Sequence, residues 1–399
     1  MNSRLKVGII GCGMISASHI RGYLDLPEKV EIVALCDAVQ DSAERRLDNV
    51  IKEAKNRADQ TDSSRLQQLW QAYDREQIQV FADYRQLLDL PGLDAVSLCT
   101  PPFVHQEMTT AAAQAGKHVF CEKPMSRIAT EAKVMANACQ AAGVKLGYQS
   151  GGTRLGAVNT AIRDYISSGQ LGDVYYGRQT SFRVRGRPGI DMPNFSPWFL
   201  NSSFSGGGSI YDIGVYQIDR LLYLLGDPQP KTISGVAYRG VEPHYDGDGV
   251  YDVDEQASVL IRFSNGMSFT FEVGWISNLD DISEGFSIFG SKGAFRNERL
   301  FVEAGQWEMD DRGNRRRYHG KLMEKPLEIP DIPAQSKFEN FIDACIEDKQ
   351  PISCGEDGVK VMEIMSGALL SAKLGREISV EELYQIEGLR AEPVPGWPI

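Results

Sequence analysis

The run Gly11-Cys12-Gly13-Met14-Ile15-Ser16 follows a short apolar segment, Leu5–Ile10, and opens a helical pattern. Glycines at a strand-to-helix turn expose backbone N–H groups and a helix N-terminus to an anion, so this turn suits the pyrophosphate of a dinucleotide. Gly11 permits the tight turn, and Gly13 has no side chain to obstruct the phosphates. Met14 and Ile15 carry the N–H groups of the helix start, and Ser16 is small enough for the helix to lie close on the strand. About twenty residues beyond the glycines, Asp37 ends a second apolar run, where a carboxylate accepts ribose hydroxyls and repels a 2′-phosphate. NAD is therefore favoured over NADP. A plain strand-end cap is the competing use of Asp37, and Arg45 and Arg46 are the side chains through which a 2′-phosphate would be met.

Two further turns end apolar runs. Thr100-Pro101-Pro102 follows 95–99, and Glu122-Lys123-Pro124 follows His118–Cys121. Both fall at the carboxyl ends of strands, where ligands of open α/β sheets bind. Pro124 halts its strand directly after Lys123, which leaves an ammonium at the nicotinamide end of such a cleft. A lysine there can polarise a reacting hydroxyl; the bland alternative is a solvated ion pair with Glu122.

These side chains need a scaffold, and 399 residues allow two or three domains of roughly 100–200 residues. Residues 5–10, 31–36, 79–82, 95–99 and 118–121 read as buried strands alternating with helices, the signature of a parallel sheet with crossover helices. The charged stretch 38–78 reads as a solvated helical insertion. After Gly147 the pattern becomes alternating over 173–185, 257–263 and 269–275, with Ser264-Asn265-Gly266 as a hairpin turn. The expected domains are 1–146 for the cofactor and 147–399 for substrate binding and oligomerisation. Phe338, Phe341, Ile342 and Cys345 recur at helical spacing, and the proline-rich 393–398 reads as an extended tail.

Composition excludes several classes. Acidic residues outnumber basic ones 54 to 42, a net charge of −12, which argues against nucleic acid and anionic membranes. No apolar run approaches the roughly 20 residues of a membrane helix. Seven cysteines without a CxxC pair fit a reducing cytoplasm, the expected location. His19, His105, His118, His244 and His319 show no ligand spacing, so no metal is expected. Asp246, Asp248, Asp252, Asp254 and Glu255 cluster, yet a calcium loop begun at Asp246 would need an oxygen ligand at Val250 and a glutamate at Ala257. A solvated acidic loop is expected instead.

The glycine turn, Thr100-Pro101-Pro102 with His105, the run AGKHVFCEKP over 115–124 and GGGSIYDIG over 206–214 resemble, in this order, the Gfo/Idh/MocA family of glucose-fructose oxidoreductases and inositol dehydrogenases. The likeness spans nearly the whole chain. It implies an α/β protein: an N-terminal Rossmann domain with a parallel sheet, then a C-terminal α/β domain with a large open, mostly antiparallel sheet. That sheet commonly forms subunit interfaces, which implies a homodimer or homotetramer. The implied activity is NAD-dependent hydride transfer at a secondary hydroxyl of a sugar, inositol or related polyol, with Thr100, Pro101, Pro102, His105, Glu122 and Lys123 beside the cofactor.

Many relatives carry a histidine acid–base where this chain has Tyr216; those resembling glucose-fructose oxidoreductase carry tyrosine. A free phenol has a pKa of about 10, and a neighbouring ammonium favours the phenolate, so Lys123 and Tyr216 together make a workable base. Asp212, four positions earlier on what reads as one helix, would position them; its alternative use is a cap beneath Gly206–Gly208. Trp198 and Phe199 offer apolar faces to a sugar ring, or to a packed core. Relatives place an arginine at Ser150-Gly151-Gly152, for which Arg154 is the candidate substitute. Arg183, Arg185 and Arg187 fall at period two and are expected on one solvated or interfacial strand face. An NAD-dependent glycosidase using transient sugar oxidation and a non-catalytic NAD-binding regulator are the alternative functions.

Overall fold

The structure is a computed structural model that describes residues 4–240, 249–279 and 285–388. The tail at 393–398, Asp246, Asp248 and His244 lie outside the described residues. The chain forms two compact units, one of residues 1–155, 203–206 and 334–362, the other of 156–202, 207–333 and 363–399.

In the first unit, strands β1 (Leu5–Ile10), β2 (Val30–Cys36), β3 (Gln79–Phe81), β4 (Ala95–Leu98), β5 (His118–Cys121) and β6 (Leu146–Tyr148) form one sheet in the order 3-2-1-4-5-6. Every pairing in it is parallel. The apolar runs that announce these strands are almost continuous because helices cover both faces and leave no solvated side to alternate toward. The order reverses between β1 and β4, which opens a crevice at their carboxyl ends.

The stretch read as a solvated helical insertion is helical, the pair Gln40–Gln60 and Ser64–Gln71, but it is not fully solvated and has one face in the core. Ala43, Leu47, Val50, Ala54 and Ala58 recur at helical spacing and are buried, so the dense charge covers only the outer side. The late helix Lys337–Ile346 returns to this unit and buries Phe338, Phe341 and Ile342, as the spacing predicts. Gly22 makes room for it: a Cβ there would stand 2.0 Å from the Phe338 ring.

The second unit is built on nine strands: β7 (Val174–Phe182), β8 (Pro230–Tyr238), β9 (Gln256–Phe263), β10 (Ser268–Gly274), β11 (Gly285–Gly290), β12 (Gly293–Arg296), β13 (Arg299–Glu303), then, past the separate hairpin β14 (Gln306–Met309) and β15 (Arg315–His319), β16 (Leu322–Lys325) and β17 (Ile378–Ser379). Their order is 16-13-12-11-7-10-9-8-17. β7 and β10 pair in parallel and the other neighbours run antiparallel. Burial alternates along β9, β10 and β11, so one face meets helices while the other stays open. The turn after β9 is the hairpin its sequence announces: Gly266 has φ +87° and the Phe263 N–H donates to the Met267 carbonyl at 2.9 Å.

Candidate cofactor and catalytic site

β1 delivers the chain into the glycine turn at the crevice. Gly11 has φ +91°, and a Cβ on it would lie 2.7 Å from the Cys99 carbonyl group, so only glycine fits between β1 and the end of β4. Gly13 is the reverse case: it is exposed, and nothing stands within 4 Å of where its Cβ would be. Met14 and Ile15 are exposed, while Ser16 is fully buried and donates its hydroxyl to the Gly13 carbonyl at 2.6 Å. The turn therefore presents a side-chain-free opening at the start of helix Ser16–Leu24, the shape and polarity a pyrophosphate requires.

Asp37, just past the end of β2, reaches back to this turn. One carboxylate oxygen accepts the Cys12 N–H at 2.7 Å and the other the Val39 N–H at 2.8 Å. It thus has the capping use and keeps lone pairs for ribose hydroxyls. Arg46 is drawn to the same turn and donates to the Gly13 carbonyl at 2.8 Å, which fixes those carbonyls on the helix Gln40–Gln60 side. Arg45 bonds only locally, to Ser42 at 3.2 Å.

The next two strand ends are joined by His105. It is fully buried, with Nε2 2.8 Å from the Thr100 carbonyl and Nδ1 3.1 Å from that of Met125. Burial drives its pKa down and so favours the neutral ring. In that form Nε2–H donates to Thr100, and the Cys121 thiol at 3.3 Å can supply the proton that Nδ1 accepts. His105 thereby ties the Thr100-Pro101-Pro102 turn to Cys121 at the end of β5, a structural duty beneath the ligand edge. Thr100 and Pro101 are half-buried there, and Pro102 is buried.

Glu122 is buried: Oε1 lies 2.7 Å from His19 Nε2, and Oε2 accepts the Lys123 N–H at 3.1 Å. Burial works to raise its carboxyl, but the His19 hydrogen bond and the charges of His19, Lys337 and Lys123 hold it below the ordinary range. The Lys123 side chain is half-buried at the tip of β5, and its peptide bond to Pro124 is cis. Sequence reasoning missed His19 as a partner; its one signal is position, on the buried face with Ser16, Ile20, Tyr23 and Leu24.

In the second unit, Asp212 and Tyr216 lie on one continuous helical run, but not on one regular α-helix. A wide π-type turn, Ile210–Gly214, precedes the helix Val215–Leu224, so Asp212 lies in the turn and Tyr216 in the first helical turn. The cause is Asp254, fully buried, whose carboxylate accepts the Gly208 N–H at 2.7 Å, the Ser209 hydroxyl at 2.7 Å and the Ile210 N–H at 3.0 Å. Asp254 is thus the capping carboxylate under the glycines. Asp212 instead accepts the indole N–H of buried Trp275 at 3.0 Å and the Arg183 guanidinium at 3.2 Å on Oδ2.

The acidic cluster is not a solvated loop where it is described. Asp252 accepts the N–H and hydroxyl of Ser202. Glu255 is fully buried and takes Arg187, the Tyr251 hydroxyl and the Gly240 N–H. The three period-two arginines also separate, because the strand ends at Phe182. Arg183 meets Asp212, Arg185 donates to the Ser277 carbonyl at 3.0 Å, and Arg187 is buried between Asp191 and Glu255. Trp198 and Phe199 stack at 3.9 Å and are half-buried, forming an aromatic platform. In the first unit, Arg154 is 1% exposed and paired with Asp357 at 3.3 Å, a core ion pair. Among the described residues no group of three or more His, Cys, Asp or Glu is placed to hold a metal, and no helix is long and apolar enough to cross a membrane.

Known proteins agree with this architecture. Residues 5–150 match a family model described as an oxidoreductase family with an NAD-binding Rossmann fold, and residues 159–296 match the GFO/IDH/MocA C-terminal domain. The chain is 27% identical to the D-glucoside 3-dehydrogenase of Escherichia coli K12, over 71% of this chain and 73% of that protein. It is 30% identical to the levoglucosan dehydrogenase of Pseudarthrobacter phenanthrenivorans, over 60% of this chain and 65% of that one. A solved levoglucosan dehydrogenase in complex with NADH and L-sorbose shares the fold, with a TM-score of 0.71 at 22% identity over 95% of this chain and 99% of the other.

Proposed function

The chain belongs to the Gfo/Idh/MocA family of NAD-binding oxidoreductases, and from that premise we propose that its substrate is a sugar, inositol or related polyol oxidised at a secondary hydroxyl. The relatives' names are those of sugar dehydrogenases. The observation that carries the reading is that the open glycine turn and Lys123 leave the same carboxyl edge of one parallel sheet, after β1 and β5. NAD, when bound, supplies the hydride acceptor.

The chain's own groups do the rest. Lys123 polarises the substrate hydroxyl through its ammonium, and Tyr216, as the phenolate that this ammonium favours, takes up the hydroxyl proton and becomes the phenol as the adjacent C–H hydride passes to NAD. Asp212, fixed by Trp275 and Arg183, orients the reacting groups. Trp198 and Phe199 offer the sugar ring an apolar face. Gly11, Gly13, Met14, Ile15 and Asp37 hold the dinucleotide, with Thr100, Pro101, Pro102, His105 and Glu122 shaping its nicotinamide end. In this reading residues 1–146 serve the cofactor and 147–399 the substrate and a homodimeric or homotetrameric assembly, in the cytoplasm, without nucleic acid.

The test is incubation with NAD and a panel of sugars, inositols and glycosides, following both reduced nicotinamide and released aglycone. Net cofactor reduction with one of the free sugars or polyols is expected. Aglycone release without net reduction would make the protein a glycosidase. NAD binding with neither would make it a regulator.

A further inference from the structure

A buried chain of polar groups runs from Tyr23 to Glu122, the residue before Lys123. Tyr23 and His19 come from helix Ser16–Leu24, Ser97 from β4 and Glu122 from the end of β5. The Tyr23 hydroxyl lies 3.1 Å from Ser97 Oγ, Ser97 Oγ 2.6 Å from His19 Nδ1, and His19 Nε2 2.7 Å from Glu122 Oε1. Glu122 Oε2 then accepts the backbone N–H of Lys123. His19, Ser97 and Tyr23 are fully buried, and Phe120 and Phe338 wall the imidazole at 5.6 and 5.0 Å.

The donors order themselves. Burial pushes the Tyr23 phenol far above its ordinary range, so it stays protonated and donates to Ser97. Glu122 is held as a carboxylate, so His19 Nε2 carries the proton between them. An ionised carboxylate with this little exposure is costly unless its lone pairs and charge are met. Here they are met by His19, by the Lys123 N–H, and by the ammoniums of Lys123 and Lys337. Lys337, first residue of its helix, is desolvated, attracted by Glu122 and repelled by Lys123. The other titratable groups facing this carboxylate are the thiols Cys99 and Cys121, whose burial raises them so that both stay neutral, and His105, whose burial lowers it toward the neutral ring.

We propose that Glu122, oriented by His19, is a positioning residue that fixes the tip of β5 and holds the Lys123 amine in its ammonium form, with Lys337 as the opposing charge. The inference rests on the assignment of Lys123 as the group that meets the substrate hydroxyl. A neighbouring carboxylate favours an ammonium and a second ammonium disfavours it, so the two neighbours act in opposite directions on the same amine.

The test is acetylation of Lys123 by limiting acetic anhydride in cofactor-free protein, read across pH by mass spectrometry of the Lys123 peptide. Glu122→Gln removes the attraction, and the Lys123 midpoint should fall by about one pH unit, a roughly tenfold faster reaction below the midpoint. Lys337→Gln should move it upward. His19→Asn keeps the carboxylate charge and frees its orientation, giving a smaller fall than Glu122→Gln. In turnover assays the alkaline limb of kcat should follow the same directions. An unmoved midpoint in a folded Glu122→Gln protein overturns the proposal. If that variant does not fold, an unmoved or lowered midpoint in Lys337→Gln overturns it. Full turnover by Lys123→Met would instead overturn the role of Lys123 itself, without altering any labelling midpoint, so the two failures are distinguishable.

Discussion

Gly13→Ala and Gly11→Ala form a matched pair whose outcomes differ for reasons visible in the turn. At Gly13 an added methyl meets no protein atom within 4 Å and the backbone φ is not positive. Folding should therefore be unharmed, or improved by about 0.4–1 kcal/mol through the stiffer unfolded chain. The same methyl projects into the opening left for the phosphates, so NAD affinity should fall at least tenfold, about 1.4 kcal/mol or more. At Gly11 the methyl would stand 2.7 Å from the Cys99 carbonyl carbon and oxygen and 2.9 Å from Thr100 Cγ2, on a backbone at φ +91°. Left-handed strain of about 1–2 kcal/mol joins an overpacking cost of about 1–3 kcal/mol, so this variant should lose stability as well as affinity. Thermal melts without cofactor and titration calorimetry with NAD separate the two effects. Wild-type affinity in Gly13→Ala would refute the phosphate role of the turn, and an unchanged melt in Gly11→Ala would refute the packing argument.

Other expectations follow from the same geometry. Asp37→Ala removes two charge-assisted hydrogen bonds, at 2.7 and 2.8 Å, and should cost about 2 kcal/mol of stability. It should also move the ratio of NADP to NAD affinity toward NADP, because a repelling carboxylate is gone while Arg46 remains; fluorescence titration with both cofactors checks this. Arg187→Met strips Asp191 and fully buried Glu255 of their counter-charge and should cost about 3–5 kcal/mol, read from urea unfolding. Acid stability follows from two depressed carboxyls: burial works against the charges of Glu122 and Asp191, but His19 and Arg187 respectively outweigh it. Their contribution is complete above the unfolded carboxylate value of about 4 and is lost as pH falls through the lower folded values. Asp254, raised by burial, acts in the opposite sense. Glu122→Gln should flatten the acid limb of unfolding free energy against pH, and a superimposable limb would contradict the assignment.

The first unit was more legible than the second because its signals are local. Leu5–Ile10 and His118–Cys121 are apolar runs closed by glycine or by Glu-Lys-Pro, and both strands have the expected bounds. β6 is three residues long, too short to show a period. β14 and β16 are exposed along their whole length, so no alternation marks them. Asp254 and Glu255 misled for a different reason: burial of an acid is decided by its partners, and Gly208 and Arg187 lie 46 and 68 residues away in sequence. The same distance hid the π-type turn, since nothing within 210–216 reveals that Asp254 grips its start. Lys123 and the glycine turn could be read because a strand end fixes where they emerge. His19 could not, since its meaning depends on Glu122, 103 residues on.

The proposed role of Lys123, at the tip of β5, is to polarise the substrate hydroxyl for a dehydrogenase reaction. Its most direct measurement is single-turnover reduction of NAD by Lys123→Met, in the presence of the best substrate from the panel and with NAD occupancy confirmed by calorimetry. Saturation with cofactor is expected, with a rate constant at least a hundredfold, about 2.7 kcal/mol, below that of the unaltered chain. A cofactor-saturated variant that reduces NAD within a few-fold of the unaltered rate would contradict it.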